Sequence, residues 1–202
     1  MNNKMSIGFI GVGKITSAIV EGLCTSSMER TQIFLSPRNE ANGKHLTEKF
    51  EQVKRLDTNQ QVIDESKIVF IAVRPAVAKE VLQTLVFREN QMVISLVPLL
   101  KISELIKALA PASHITRAVP TPAVVQHTGP IILFNSNETV TNIFRHLGQP
   151  VEVHSEQQLH ALWTLTGLIT PFYDLLDELS RWTIDKGVAP ATASEYTASM
   201  FQ

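Results

Sequence analysis
The chain has 202 residues, of which 44% are hydrophobic and 18% charged, with a formal net charge of −1. That length and apolar content support a substantial core, built as one large domain or as a nucleotide domain with a smaller companion. The charge gives no reason to expect nucleic acid or an anionic membrane as partner, and the single cysteine, Cys24, excludes an internal disulfide framework.

Met1-Asn-Asn-Lys-Met5 leads directly into the first apolar run, so no signal peptide is evident. No run reaches the ~18 apolar residues of a membrane helix. With one cysteine that suits a reducing compartment, a soluble cytoplasmic protein is expected.

In the first run Ile7, Phe9, Ile10 and Val12 read as a buried strand. Gly11 and Gly13 make a tight turn, and Ile15, Ala18, Ile19 and Leu23 then repeat at helical spacing. A strand, a Gly-x-Gly turn and a helix set free N–H groups at a helix N-terminus, which suits a pyrophosphate. The third position of Gly-x-Gly-x-x-Gly is Thr16, so the close helix–strand contact must accommodate a β-branched residue. Gln32 to Ser36 is a second strand, followed by Pro37-Arg38-Asn39, and 40–50 read as a helix with Leu46 and Phe50 on one face. Val62-Ile63 falls in a short polar helix. Lys67 to Val73 is apolar without alternation, as expected of a parallel strand covered on both faces.

Arg74-Pro75 ends that run, and Ala78, Val81, Leu82 and Leu85 mark a helix. Met92 to Val97 is another strand, Ile102, Leu105, Ile106 and Leu109 another helix. His114 to Val119 and Gly129 to Phe134 are strands, 141–147 is helical, and Val151 to Val153 is a last short strand. From Glu156 onward only helical periodicity remains, with a break or kink expected near Thr170 before Pro171, and a second break at Gly187 and Pro190. The fold class predicted is α/β: a Rossmann-type, doubly wound, mostly parallel sheet over 1–153, followed by an all-helical C-terminal domain over 154–202. Phe172, Leu175, Leu176, Leu179 and Trp182 need a partner surface. A two-fold homodimer through these helices is the preferred reading, against packing on the chain's own sheet.

In a dinucleotide fold the end of the second strand selects the cofactor: an acid there binds the ribose of NAD, an arginine suits the 2′-phosphate of NADP. Ser36-Pro37-Arg38-Asn39 contains no acid before Glu40, and Arg38 can grip a phosphate bidentately with Ser36 and Asn39 as neutral donors. NADP(H) is therefore expected in preference to NAD. The expected cofactor contacts are Gly11, Val12, Gly13, Lys14 and Ile15 in the first turn, Ser36, Arg38 and Asn39 at the end of the second strand, Ala72, Val73, Arg74 and Pro75 at the end of the third apolar run, and Pro120. His127 and Thr128 are loop candidates for substrate contact, set against the plainer reading of a solvated histidine. Metal chemistry is not expected, because the six histidines lack ligand spacing, and no Gly-x-Ser-x-Gly turn signals a serine nucleophile.

Ile7-Gly-Phe-Ile-Gly-Val-Gly13, Ser36-Pro-Arg-Asn39, Phe70-Ile-Ala-Val-Arg-Pro75, Arg117-Ala-Val-Pro-Thr-Pro-Ala123 and Thr170-Pro-Phe-Tyr173 occur in one order. With them the chain resembles the pyrroline-5-carboxylate reductase family, over residues 5 to about 200. The resemblance implies NADPH-dependent reduction of a cyclic imine, with a small imine or carbonyl as substrate. It also implies a helical dimerisation domain, and places Thr121, Thr170 and Tyr173 as the catalytic candidates facing the substrate.

Several motifs depart from the family. Met-Pro-Asn-Thr-Pro is here Val119-Pro120-Thr121-Pro122, one residue shorter and without the asparagine. Ser-Gly-Ser-Gly-Pro-Ala-Tyr has become Thr166-Gly-Leu-Ile-Thr-Pro-Phe-Tyr173, with bulky Leu168 and Ile169, and Leu96-Val97-Pro98 replaces a segment usually rich in small residues. The family's last helices, with a Gly-Gly-x-Thr segment for the substrate carboxylate, have no counterpart before Gln202, so the chain is short or a C-terminal part is missing. A catalytically inactive NADP-binding dimeric regulatory or scaffold protein on the same fold is therefore the alternative. A reductase of the β-hydroxyacid or deazaflavin type shares the nucleotide domain, but Lys186 lies too near the end of its helix for the hydroxyacid enzymes' lysine.

Overall fold
The computed structural model describes residues 5–201. Ser6–Ile10 (β1) is the third strand in an eight-stranded sheet of order β3-β2-β1-β4-β5-β6-β7-β8. Gln32–Leu35 (β2) and Val53–Arg55 (β3) lie to one side of it; Ile68–Ile71 (β4), Met92–Ser95 (β5) and His114–Val119 (β6) lie to the other. These six strands are parallel, and Ser6 pairs with Gln32 while Ile7 pairs with Ile68. Pro130–Phe134 (β7) runs antiparallel to β6, and Gln149–Val153 (β8) closes the far edge parallel to β7.

The unbroken apolar runs are explained by two cores, one on each sheet face. Ile7, Phe9, Ile68 and Phe70 enter one core with Ile19, Leu23 and Phe144, and Phe9 stacks on Phe70 with ring centroids 4.6 Å apart. Ile10, Val69 and Ile71 point the other way, among Val62, Ile63, Leu82 and Leu105. Successive residues of a strand face opposite sides, so a strand covered twice has no polar position to spare. The helices that cover the sheet include Lys14–Thr25 (α1), Glu40–Lys49 (α2), Asn59–Glu65 (α3), Pro75–Gln83 (α4), Ile102–Ala108 (α5) and Glu138–Arg145 (α6).

Three local features go beyond the sequence reading. β3 is an edge strand of three residues with only Val53 buried, too short to show alternation. The segment Pro122–Gln126 forms a 3₁₀ turn. The short helix α3 is polar in composition but fully buries Val62 and Ile63, and its start is fixed by a capping box of Thr58 and Gln61.

The chain divides into two compact units, one ending at Leu159 and one beginning at His160. The second unit contains the rest of Glu156–Thr166 (α7), Ile169–Asp185 (α8) and Pro190–Met200 (α9). The break between α7 and α8 falls at Gly167-Leu168, so Pro171 sits in the first turn of α8, where its missing N–H breaks no helical bond. Gly187, at φ +89°, ends α8, and Pro190 opens α9. Ser180 of α8 and Ala193 and Thr197 of α9 are buried, and Phe172 meets Phe201 edge-on. Ile169, Phe172, Leu175, Leu179 and Trp182 remain exposed, Trp182 at 61%.

Candidate functional site
The C-terminal ends of the parallel strands carry the predicted cofactor residues, beginning with the turn between β1 and α1. Gly11 has φ +101°, and a Cβ there would stand 2.6 Å from the Ala72 carbonyl oxygen, so only glycine lets β1 turn this close to the end of β4. Thr16 stands where a glycine would be usual. It is fully buried, and its Oγ1 donates to the Gly11 carbonyl at 2.8 Å, so the β-branched residue that the helix–strand contact accommodates also braces the turn. Gly13 begins α1 without a side-chain cap, and a Cβ there would meet nothing within 4 Å. A twelve-residue helix thus presents uncapped N–H groups beside open space, the arrangement a phosphate needs. Val12 is buried at 2% exposure, so its side chain belongs to the core and only its backbone faces the turn; Ile15 packs against the same core.

The turn between β2 and α2 supplies the next residues. Arg38 is exposed, and its side chain, like those of Lys14 at the start of α1 and Arg74 before α4, forms no hydrogen bond or ion pair among the described residues. The nearest acid in sequence, Glu40, is engaged by Arg55. Three unpaired cations therefore stand at the ends of three neighbouring strands, a pattern suited to a polyanionic ligand. Ser36 and Asn39 behave differently from the expected phosphate donors. Ser36 is 1% exposed and its Oγ accepts from the Gly11 N–H at 2.9 Å. Asn39, at φ +67°, caps α2 and donates through Nδ2 to the Val12 carbonyl at 2.8 Å. Both are turned toward the glycine turn, where they satisfy a backbone N–H and a backbone carbonyl.

Farther along the edge, Ala72 donates to the Ile10 carbonyl at 2.8 Å, and Val73, Arg74 and Pro75 lead into α4, with Pro75 at its first position. Pro120 follows β6, and next to it the Thr121 hydroxyl is buried without a hydrogen-bond partner, close to where a Cβ on Gly129 would be. His127 braces the first helix: its Nε2 lies 2.9 Å from the Gly22 carbonyl and therefore carries the proton that is donated. Thr170 and Tyr173 lie on α8 of the second unit, both exposed.

One buried pair was not legible in the sequence. Arg117 of β6 is only 2% exposed; its Nη1 pairs with Glu156 and its Nη2 donates to the Pro98 carbonyl at 2.6 Å. The same Glu156 oxygen accepts the Ile102 N–H at 2.8 Å, at the start of α5. One guanidinium thus ties together β6, the loop after β5 and the first turns of α5 and α7. The available signal was a lone arginine inside an apolar strand, which implies a buried partner without naming it.

Fold and site together define a dinucleotide-binding protein of the Rossmann type, with an unpaired arginine where a 2′-phosphate would be read. Residues 6–99 match the family described as "NADP oxidoreductase coenzyme F420-dependent". The chain is 30% identical to a pyrroline-5-carboxylate reductase of Escherichia coli strain K12, over 96% of this chain and 76% of that protein. Its fold is similar to a pyrroline-5-carboxylate reductase of Coxiella burnetii, with TM-score 0.84, 26% identity and coverage of 98% and 77% of the two chains. It is also similar to the Plasmodium falciparum pyrroline carboxylate reductase solved with NADP bound, with TM-score 0.81, 20% identity and coverage of 99% and 76%. The chain belongs to the pyrroline-5-carboxylate reductase family.

Proposed function
We propose that the protein is an NADPH-dependent reductase that converts a cyclic imine, pyrroline-5-carboxylate or a close relative, to the corresponding amine. The observation that carries this reading is the uncapped start of α1 beside Gly13, flanked by the unpaired Lys14, Arg38 and Arg74. The cofactor supplies the hydride when bound. Gly13, Lys14 and Ile15 hold the pyrophosphate through backbone N–H groups, and Arg38 holds the 2′-phosphate. Ala72 to Pro75 and Pro120 border the rest of the cofactor. Reduction of the imine would place that hydride on carbon and a proton on nitrogen, so the chain's own task is to orient donor and acceptor. Thr121, Thr170 and Tyr173 are assigned to the substrate.

In the same proposal residues 1–153 bind the dinucleotide, while 154–202 form a homodimer through the exposed apolar face of α8, with residence in the cytoplasm. The test is to follow NADPH absorbance with purified protein and pyrroline-5-carboxylate. Turnover that is lost in Arg38→Asp supports the reading. NADPH binding without turnover on a panel of cyclic imines would replace it with an inactive nucleotide-binding protein.

A further inference from the structure
We propose that Asn39 and Asn42 are positioning residues that hold the glycine turn in the one orientation able to bind the cofactor's pyrophosphate. The inference rests on the NADP(H) reading above. The Val12 carbonyl accepts two amide donors, Asn39 Nδ2 at 2.8 Å and Asn42 Nδ2 at 2.9 Å. Both of its lone pairs are thereby used. On the other side of Val12, the Gly11 N–H is held by Ser36 Oγ at 2.9 Å. The segment from Ser36 to Asn42 therefore grips the turn at two points.

The consequence follows from peptide geometry. In a trans peptide the C=O and the N–H point in opposite directions, so fixing the Val12 carbonyl against α2 fixes the Gly13 N–H on the side away from α2. Gly13 has no Cβ to resist rotation of that peptide, and the space a Cβ would fill is empty. A flipped peptide would present an oxygen to the phosphate in place of an N–H. The two amides remove that alternative before the ligand arrives. Asn39 reaches the carbonyl from the left-handed region, at φ +67°, which asparagine tolerates better than most residues. Asn42 lies in the first turn of α2, half-buried, and nothing in its sequence neighbourhood marks it.

The test measures Kd for NADPH and for NADH by fluorescence titration, with thermal melts alongside. The proteins are the wild type, Asn42→Ala, Asn39→Gly, the double variant and Arg38→Ala. Alanine suits a helix and glycine keeps the left-handed backbone, so both replacements preserve the local fold. Asn42→Ala is expected to weaken NADPH and NADH in parallel by about three- to tenfold, the span of one neutral hydrogen bond. The double variant weakens both further, while Arg38→Ala weakens NADPH alone. Unchanged Kd values in Asn42→Ala and the double variant overturn the inference. So does a loss confined to NADPH in Asn42→Ala, which would place the amide at the 2′-phosphate. A wild-type protein that binds neither nucleotide overturns the cofactor reading itself.

Discussion

Removing the Glu156 side chain should destabilise the sheet unit far more than removing a surface carboxylate. Arg117 is 2% exposed and Glu156 25% exposed, so Glu156→Ala leaves a guanidinium in the core with only the Pro98 carbonyl and removes the acceptor of the Ile102 N–H. Stranding one member of such a pair costs roughly 3–5 kcal/mol, against about 0–1 for a solvated pair. With a melting shift of roughly 2–4 °C per kcal/mol for a chain of this size, the melt should fall by about 6–20 °C. Arg117→Met with Glu156→Leu replaces both charges by apolar groups and should recover much of the loss, because the penalty lies in the uncompensated charge. Both tryptophans, Trp163 and Trp182, lie in the second unit, so urea unfolding should be followed by far-UV circular dichroism as well as fluorescence. Protein concentration must be held fixed, since the proposed homodimer's apparent stability would depend on it. A cost below about 1 kcal/mol for Glu156→Ala would refute the argument and place this pair with the solvated ones.

Arg38→Asp should weaken NADPH roughly 10- to 150-fold, the value of a charge-assisted contact, while NADH binding holds or improves because an acid can accept the ribose hydroxyl; isothermal titration reads both. Gly13→Ala should melt with the wild type yet bind NADPH poorly, since its Cβ meets no protein atom and projects where a phosphate approaches. Gly11→Ala should instead lose about 1–3 kcal/mol of stability, because its Cβ meets the Ala72 carbonyl at 2.6 Å with φ at +101°; equal melts for the two variants would contradict this. Burial first, and the charge of Glu21 second, push the Cys24 thiol from 9.0 up to about 12. Its folded value exceeds its unfolded one, so the associated stability is complete below pH 9 and declines between 9 and 12. Iodoacetamide at mildly alkaline pH should leave Cys24 unmodified until urea is added, and labelling of the native protein at the rate of a free thiol would disprove its burial.

The β1 strand, the Gly11–Gly13 turn, the doubly covered strands and the lone Arg38 were determined by the sequence itself. Each is written in residues adjacent in the chain: an apolar run needs two covering layers, a glycine pair permits a sharp turn, and an arginine without a neighbouring acid stays available. The three-residue edge strand β3 was invisible because it buries one side chain. Tertiary structure alone decided where the polar atoms went. Ser36 and Asn39 carry polar groups suited to a ligand, yet Ser36 Oγ accepts the Gly11 N–H and Asn39 Nδ2 donates to the Val12 carbonyl. Asn42 joins them across 30 residues, and Arg117 finds Glu156 across 39. A hydrophobic pattern shows that a residue is buried. Which partner satisfies a buried donor or charge depends on what folding brings within about 3 Å, and sequence spacing does not encode that distance.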